Sequence, residues 1–219
     1  MTIMYDEEKV RELKSDYSEI RDEIEARLKE FERVWDEGDE KLFRELCFCI
    51  FTPQSKAKVC WDTVKELDQS DQLLSAEEEE IAEQIKRVRF RFNKAGYLVE
   101  AREKFAEEDC VSLKEKIESF SNGKEAREWI VDNVKGLGLK EASHFLRNIG
   151  KGDEIAILDR HILKNLDETR VIEEVPKTLT KKRYLEIEEK MKRFSKEIDI
   201  PLAHLDLLLW YKETGEIFK

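Results

Sequence analysis

The sequence predicts an all-α fold, and three observations carry that expectation. Only 8 glycines and 3 prolines occur in 219 residues, too few for a chain of short strands and tight turns. Apolar residues recur at steps of three and four over most of the chain, the spacing of a helix face. Hydrophobic residues make up 40% and charged residues 42%, enough of the first for a core and enough of the second for polar outer faces. At this length one domain, or two closely packed subdomains, is expected.

Taken in order, Val10, Leu13, Tyr17, Ile20, Ile24, Leu28, Phe31 and Trp35 form one stripe of a long amphipathic helix, with Gly38 as its stop. Residues 42–52, LFRELCFCIFT, are more continuously apolar and read as a buried helix ended by Pro53. Another helix is expected from 55 to 67 with Ser55 as N-cap. A further one is expected after Ser75, with Glu78 completing a capping box. The glutamates that follow Ser75 sit where the helix dipole favours anions. Residues 85–105 mix bases with Phe90, Phe92 and Tyr97. Helices are expected around 111–119, 124–134, 139–149, 160–166 and 181–195, with a last one from Pro201 to about Tyr211.

No apolar run reaches the ~18 residues of a membrane span. The N-terminus lacks the basic and apolar regions of a signal peptide, so a cytoplasmic protein is expected. Cys47, Cys49, Cys60 and Cys110 fit neither a zinc nor an iron–sulfur spacing and read as small buried hydrophobes. The net charge of −11 argues by itself against a nucleic-acid partner. Its distribution argues otherwise. Residues 1–45 carry −7 and residues 75–83 carry −5, whereas 85–105 carry +5 and 134–151 carry +3.

The second positive stretch is VKGLGLKEASHFLRNIG, 134–150. A helix ends near Val134, Gly136 and Gly138 permit a tight turn, and a second helix begins at once. Free N–H groups at that helix start, with Lys135 beside them, make an anion site. Leu139, Ala142, Leu146 and Ile149 form the inward stripe; Lys140, His144 and Arg147 share another face, expected to be polar and basic. This is the pattern of a helix-hairpin-helix element that grips a DNA backbone without reading its sequence.

Followed by AILDRHIL (156–163), this block resembles the helix-hairpin-helix DNA glycosylases. More closely it resembles the archaeal-type 8-oxoguanine DNA glycosylase/AP lyases, together with LFRELCFCIFT, VPKTLTKKRYLEIEE and LDLLLWY. The resemblance spans roughly residues 5–219. It implies two helical subdomains, 44–151 with the hairpin and 1–43 plus 152–219, with a DNA-binding cleft between them.

The resemblance implies Lys140 as nucleophile and Asp159 as its essential partner. An amine that attacks C1′ of the sugar forms a Schiff base and then serves as electron sink for β-elimination. A lysine with an ordinary pKa of ~10.4 is protonated at neutral pH, so such an amine needs dry or cationic surroundings or a proton acceptor. Asp159 suits the acceptor role and, by position, also reads as the N-cap of the next helix. His161 matches a position that touches a phosphate near the lesion in related glycosylases; a satisfied surface histidine is the alternative. The resemblance further points to Gln54, in FTPQSKAK (51–58), as the residue that fills the duplex once the base is extruded.

For the base pocket it points to Phe90, Trp210 and Lys219, the last through its terminal carboxylate, an acceptor for the N7–H that distinguishes 8-oxoguanine from guanine. Asp206, one turn before Trp210, is a further pocket candidate. By position alone Phe90 and Trp210 are equally core candidates. The sequence after Thr52 departs from some relatives, which leaves contacts to the opposite base open, and the four-cysteine cluster of the endonuclease III branch is missing. No cofactor and no metal is expected. The expected partner is double-stranded DNA containing 8-oxoguanine, bound by a nucleoid-associated monomer. A glycosylase for another oxidised base and a non-catalytic DNA-binding protein are the alternatives.

Overall fold

A computed structural model describes residues 5–106 and 112–219; Cys110 and Val111 fall outside the described residues. Twelve helices are present among the described residues, and no strand. No helix there is long and apolar enough to cross a membrane. Two compact units divide the chain: Met1–Phe31 with Gly152–Lys219, and Glu32–Lys151.

The second unit holds the end of α1 (Glu7–Asp36), then α2 (Asp39–Phe51), α3 (Ala57–Gln69), α4 (Gln72–Ser75), α5 (Glu78–Gln84), α6 (Arg91–Phe105), α7 (Leu113–Glu118), α8 (Gly123–Asn133) and α9 (Leu139–Asn148). Its centre is α2. All of Leu42, Phe43, Leu46, Cys47, Phe48, Cys49, Ile50 and Phe51 are buried, because α3, α6, α7 and α9 pack around it. A helix apolar on nearly every side is what such a central position requires. The one carboxylate buried in it, Glu45, accepts from Asn148 Nδ2 of α9 at 3.1 Å. Cys47, Cys49 and Cys60 are buried and outside any disulfide, and burial raises both Cys47 and Cys60 above the ordinary thiol range, Cys60 to about 11.

Two expected N-caps are not where the sequence pattern puts them. Ser75 ends α4, and the capping box belongs to Glu77 and Glu80 of α5; Glu77 N–H donates to Glu80 Oε2 at 3.1 Å. Ser55 does not cap α3, which starts after Lys56. Its hydroxyl oxygen faces the α5–α6 connection instead and accepts from Arg89 N–H at 3.0 Å. In each case a serine suited to capping meets a better-placed partner.

The first unit holds the rest of α1 with α10 (Arg160–Glu168), α11 (Lys181–Glu197) and α12 (Leu202–Thr214). Leu13, Ile20, Ile24 and Phe31 are the buried part of the α1 stripe in this unit. α12 packs on α10 and α11 and buries Leu205 through Leu209. Pro201 opens α12, where its missing N–H is no loss, and Gly215 closes it at φ 72°.

Candidate active site

The turn between α8 and α9 is built for close backbone packing. Gly136 has φ 84°, and a Cβ there would lie 2.5 Å from Tyr97 Cδ2. Gly138 has φ −98° and caps α9; its N–H donates to Glu141 Oε2 at 3.3 Å. Lys140 is the second residue of α9. Its side chain is 27% exposed, and its ammonium lies 3.9 Å from Glu141 Oε1. Glu141 thus closes the turn and faces the amine. Lys135, also exposed, pairs with Glu100 at 2.6 Å, a hydrogen bond that raises its pKa.

The basic face expected on α9 is a different surface. His144 and Arg147 are 5% and 7% exposed, and the His144 ring sits edge-on to Phe48 of α2, centroids 5.3 Å apart. α9 lies against both α2 and α8, so only the first turn of that face, with Lys140, reaches solvent.

Asp159 is the N-cap of α10. Its Oδ1 accepts from His161 N–H at 2.8 Å and Ile162 N–H at 2.9 Å. The segment leading to it is held by α11. Tyr184 Oη donates to Ala156 O at 2.6 Å and accepts from Leu158 N–H at 3.2 Å, while Glu188 Oε2 accepts from Ala156 N–H at 2.8 Å. Both partners of this segment sit one helical turn apart on one face of α11.

In the same unit, the His161 ring stands perpendicular to Trp210, centroids 5.3 Å apart. His161 Nε2 accepts from Arg160 Nε at 3.2 Å, and Nδ1 lies 3.6 Å from Glu213 Oε2. Glu213 also accepts from Lys164 at 2.9 Å and Asn165 at 3.1 Å; the Lys164 bond holds its carboxyl below the ordinary range. Asp206 is buried, at 7% exposure. Lys219 is half-buried, its ammonium 5.8 Å from the Phe31 ring centroid.

In the second unit, Gln54 is exposed at the tip of the α2–α3 connection with φ 56°. Phe90 precedes α6 with φ 57° and is 54% exposed, which removes it from the core. Non-glycine residues at left-handed φ are uncommon and cluster at functional loops. The Arg89 guanidinium lies over the Phe90 ring and that of Arg91 over Phe92, at 5.4 and 4.6 Å.

A family model described as 8-oxoguanine DNA glycosylase matches residues 24–200. The chain belongs to the 8-oxoguanine DNA glycosylase family. An 8-oxoguanine DNA glycosylase/AP lyase of Fusobacterium nucleatum is 49% identical over 95% of this chain and 96% of its own. One of Methanocaldococcus jannaschii is 44% identical over 96% of this chain and 98% of its own. Among solved structures, the M. jannaschii 8-oxoguanine glycosylase/lyase in complex with a 15mer DNA containing 8-oxoguanine gives a TM-score of 0.84 at 42% identity, covering 97% of this chain and 98% of that one. The Thermotoga maritima 8-oxoguanine DNA glycosylase gives 0.86 at 34%, covering 97% and 99%.

Gln54, Phe90, Lys135, Gly136, Gly138, Lys140, Asp159 and His161 lie inside the stretch matched by the glycosylase family model; Asp206, Trp210 and Lys219 lie beyond it. Four residues of this glycosylase-family chain went unsuspected in the sequence: Lys94, Tyr184, Glu188 and Glu213. Tyr184 and Glu188 carried one usable signal, a polar pair at i, i+4 on a helix face that is otherwise apolar.

Proposed function

We propose that this chain excises 8-oxoguanine from double-stranded DNA and then cuts the strand at the abasic site, using Lys140 as nucleophile. The observation that carries the residue assignment is the placement of Lys140. It is a part-exposed amine in the first turn of α9, directly after a glycine turn in which Gly136 leaves no room for a Cβ against Tyr97. In this reading the Lys140 amine attacks C1′ as the glycosidic bond breaks and the base leaves. The sugar ring opens to a protonated imine, and loss of a C2′ proton expels the 3′ phosphate. Asp159 takes up a proton and stabilises the positive charge that develops on the sugar. Both capping bonds fall on Oδ1, which leaves Oδ2 for that role.

Lys135 and the N–H groups around Gly136 and Gly138 hold phosphate, as does His161 at the start of α10. Trp210, Asp206, Lys219 and Phe90 are the residues read as receiving the extruded base; flat rings suit a purine. Gln54 fills the duplex. The protein acts as a monomer on the nucleoid. Borohydride trapping on duplex DNA carrying 8-oxoguanine is the test. A covalent adduct that Lys140→Gln abolishes is expected; tight DNA binding with no adduct in the unaltered protein would sink the lyase step.

A further inference from the structure

The mechanism leaves a buried lysine unused. Lys94, on α6, is 3% exposed. Its ammonium has three protons and three acceptors: Phe51 O at 2.7 Å, Pro53 O at 2.7 Å and Ser55 Oγ at 3.2 Å. Phe51 is the last residue of α2, and Pro53 and Ser55 lie on the connection to α3, one on each side of Gln54. Ser55 Oγ accepts in addition from Arg89 N–H, and Lys94 N–H bonds to Phe90 O at 3.1 Å. The Lys94 side chain therefore fastens the Gln54 loop, and Ser55 Oγ of that loop ties it to the Phe90 turn; each of the two segments holds a non-glycine residue at left-handed φ.

A buried lysine is costly unless every proton is satisfied. A loop that merely joined α2 to α3 would not need one. We propose that Lys94 is a positioning residue that holds the Gln54 loop in the conformation required to enter the duplex. This rests on the reading of Gln54 as the duplex-filling residue.

The charge state of the staple follows from its surroundings. Burial pushes Lys94 down to about 8, opposed by the Cys60 thiol of α3 and the Glu141 carboxylate of α9 and assisted by the Arg89 guanidinium. α2 presents the Phe51 carbonyl. Cys60 is itself pushed up by burial, to about 11. Because the folded value lies below that of a free lysine, loss of the proton favours the folded state overall between about pH 8 and about pH 10.5. The same loss removes one of three donors from the loop. Local order and global stability thus move in opposite directions with pH.

The test is fluorescence from 2-aminopurine placed opposite a tetrahydrofuran abasic-site analogue in a duplex, at saturating protein, from about pH 7 to about pH 9.5. Entry of a side chain into the stack changes the emission. The unaltered protein is expected to give a change that fades above about pH 8. Gln54→Ala and Lys94→Met should each lose most of the change, and the double variant no more than either alone, since both act through one loop. Lys94→Arg, which stays charged, should keep the change at high pH. If Gln54→Ala leaves the signal intact, the reading of Gln54 fails. If Gln54→Ala removes it and Lys94→Met does not, the positioning role fails alone. Should Lys94→Met not fold, a pH-independent signal in the unaltered protein overturns the proposal by itself.

Discussion

Asp159 carries two duties that substitution can separate. Its Oδ1 satisfies two N–H groups at the start of α10, and its charge is what the proposed chemistry uses. Asparagine caps a helix as well as aspartate does, so Asp159→Asn should leave the thermal midpoint almost unchanged while removing most single-turnover excision. Asp159→Ala should lose activity and, in addition, about 1 kcal/mol of stability, read from denaturant unfolding. Equal destabilisation by both, with activity retained by Asn, would make the cap the whole story. The cap role of Asp159 was legible in the sequence because its signal is local, an aspartate one place before a helix, whereas the catalytic reading of Asp159 and Lys140 rested on the family resemblance. Lys94, Tyr184, Glu188 and Glu213 were not legible. Their partners lie 43, 26, 32 and 49 positions away in the chain, and short-range spacing says nothing about such pairs.

At the scale of elements, periodicity marked nearly every helix, and the failures were at ends and faces. Ser75 had the right chemistry for a cap but sits inside a short preceding turn of helix, so Glu77 took the role. The Lys140–His144–Arg147 face looked exposed because amphipathicity assumes one wet side; α9 is covered by α2 and α8, and its second and third turns are internal. The glycine turn was read correctly as a turn, but its two glycines are not equivalent. Gly136→Ala places a side chain at φ 84° and within 2.5 Å of the Tyr97 ring. The backbone alone should cost about 1–2 kcal/mol, with displacement of Tyr97 added. A Cβ at Gly138 meets only Glu141 Oε2 at 3.4 Å, with φ in the ordinary range, so Gly138→Ala should fold normally. Urea unfolding of the two variants checks this, and a loss at 138 as large as that at 136 would refute it.

For the molecule as a whole, the charge of −11 sets how DNA is held. The negative excess is concentrated in residues 1–45 and 75–83, away in sequence from the positive stretches 85–105 and 134–151. Even in those stretches the cations are not all available. Lys135 is paired with Glu100, Arg87 with Glu66, and Lys94 and Arg102 are buried. Each phosphate that a free cation neutralises steepens the fall of log affinity with log salt by ~0.9, while the total negative charge opposes approach. Undamaged duplex should therefore bind modestly and with a shallow but measurable salt slope, affinity being concentrated on the lesion. Glu100→Gln should free Lys135 for a phosphate, tighten binding to undamaged duplex at low salt and steepen the slope by about one unit. Fluorescence anisotropy over a salt series measures both. A salt-independent affinity, or no change of slope in Glu100→Gln, would mean that the hairpin cations do not meet the backbone, since a released lysine that touches phosphate must displace a counterion.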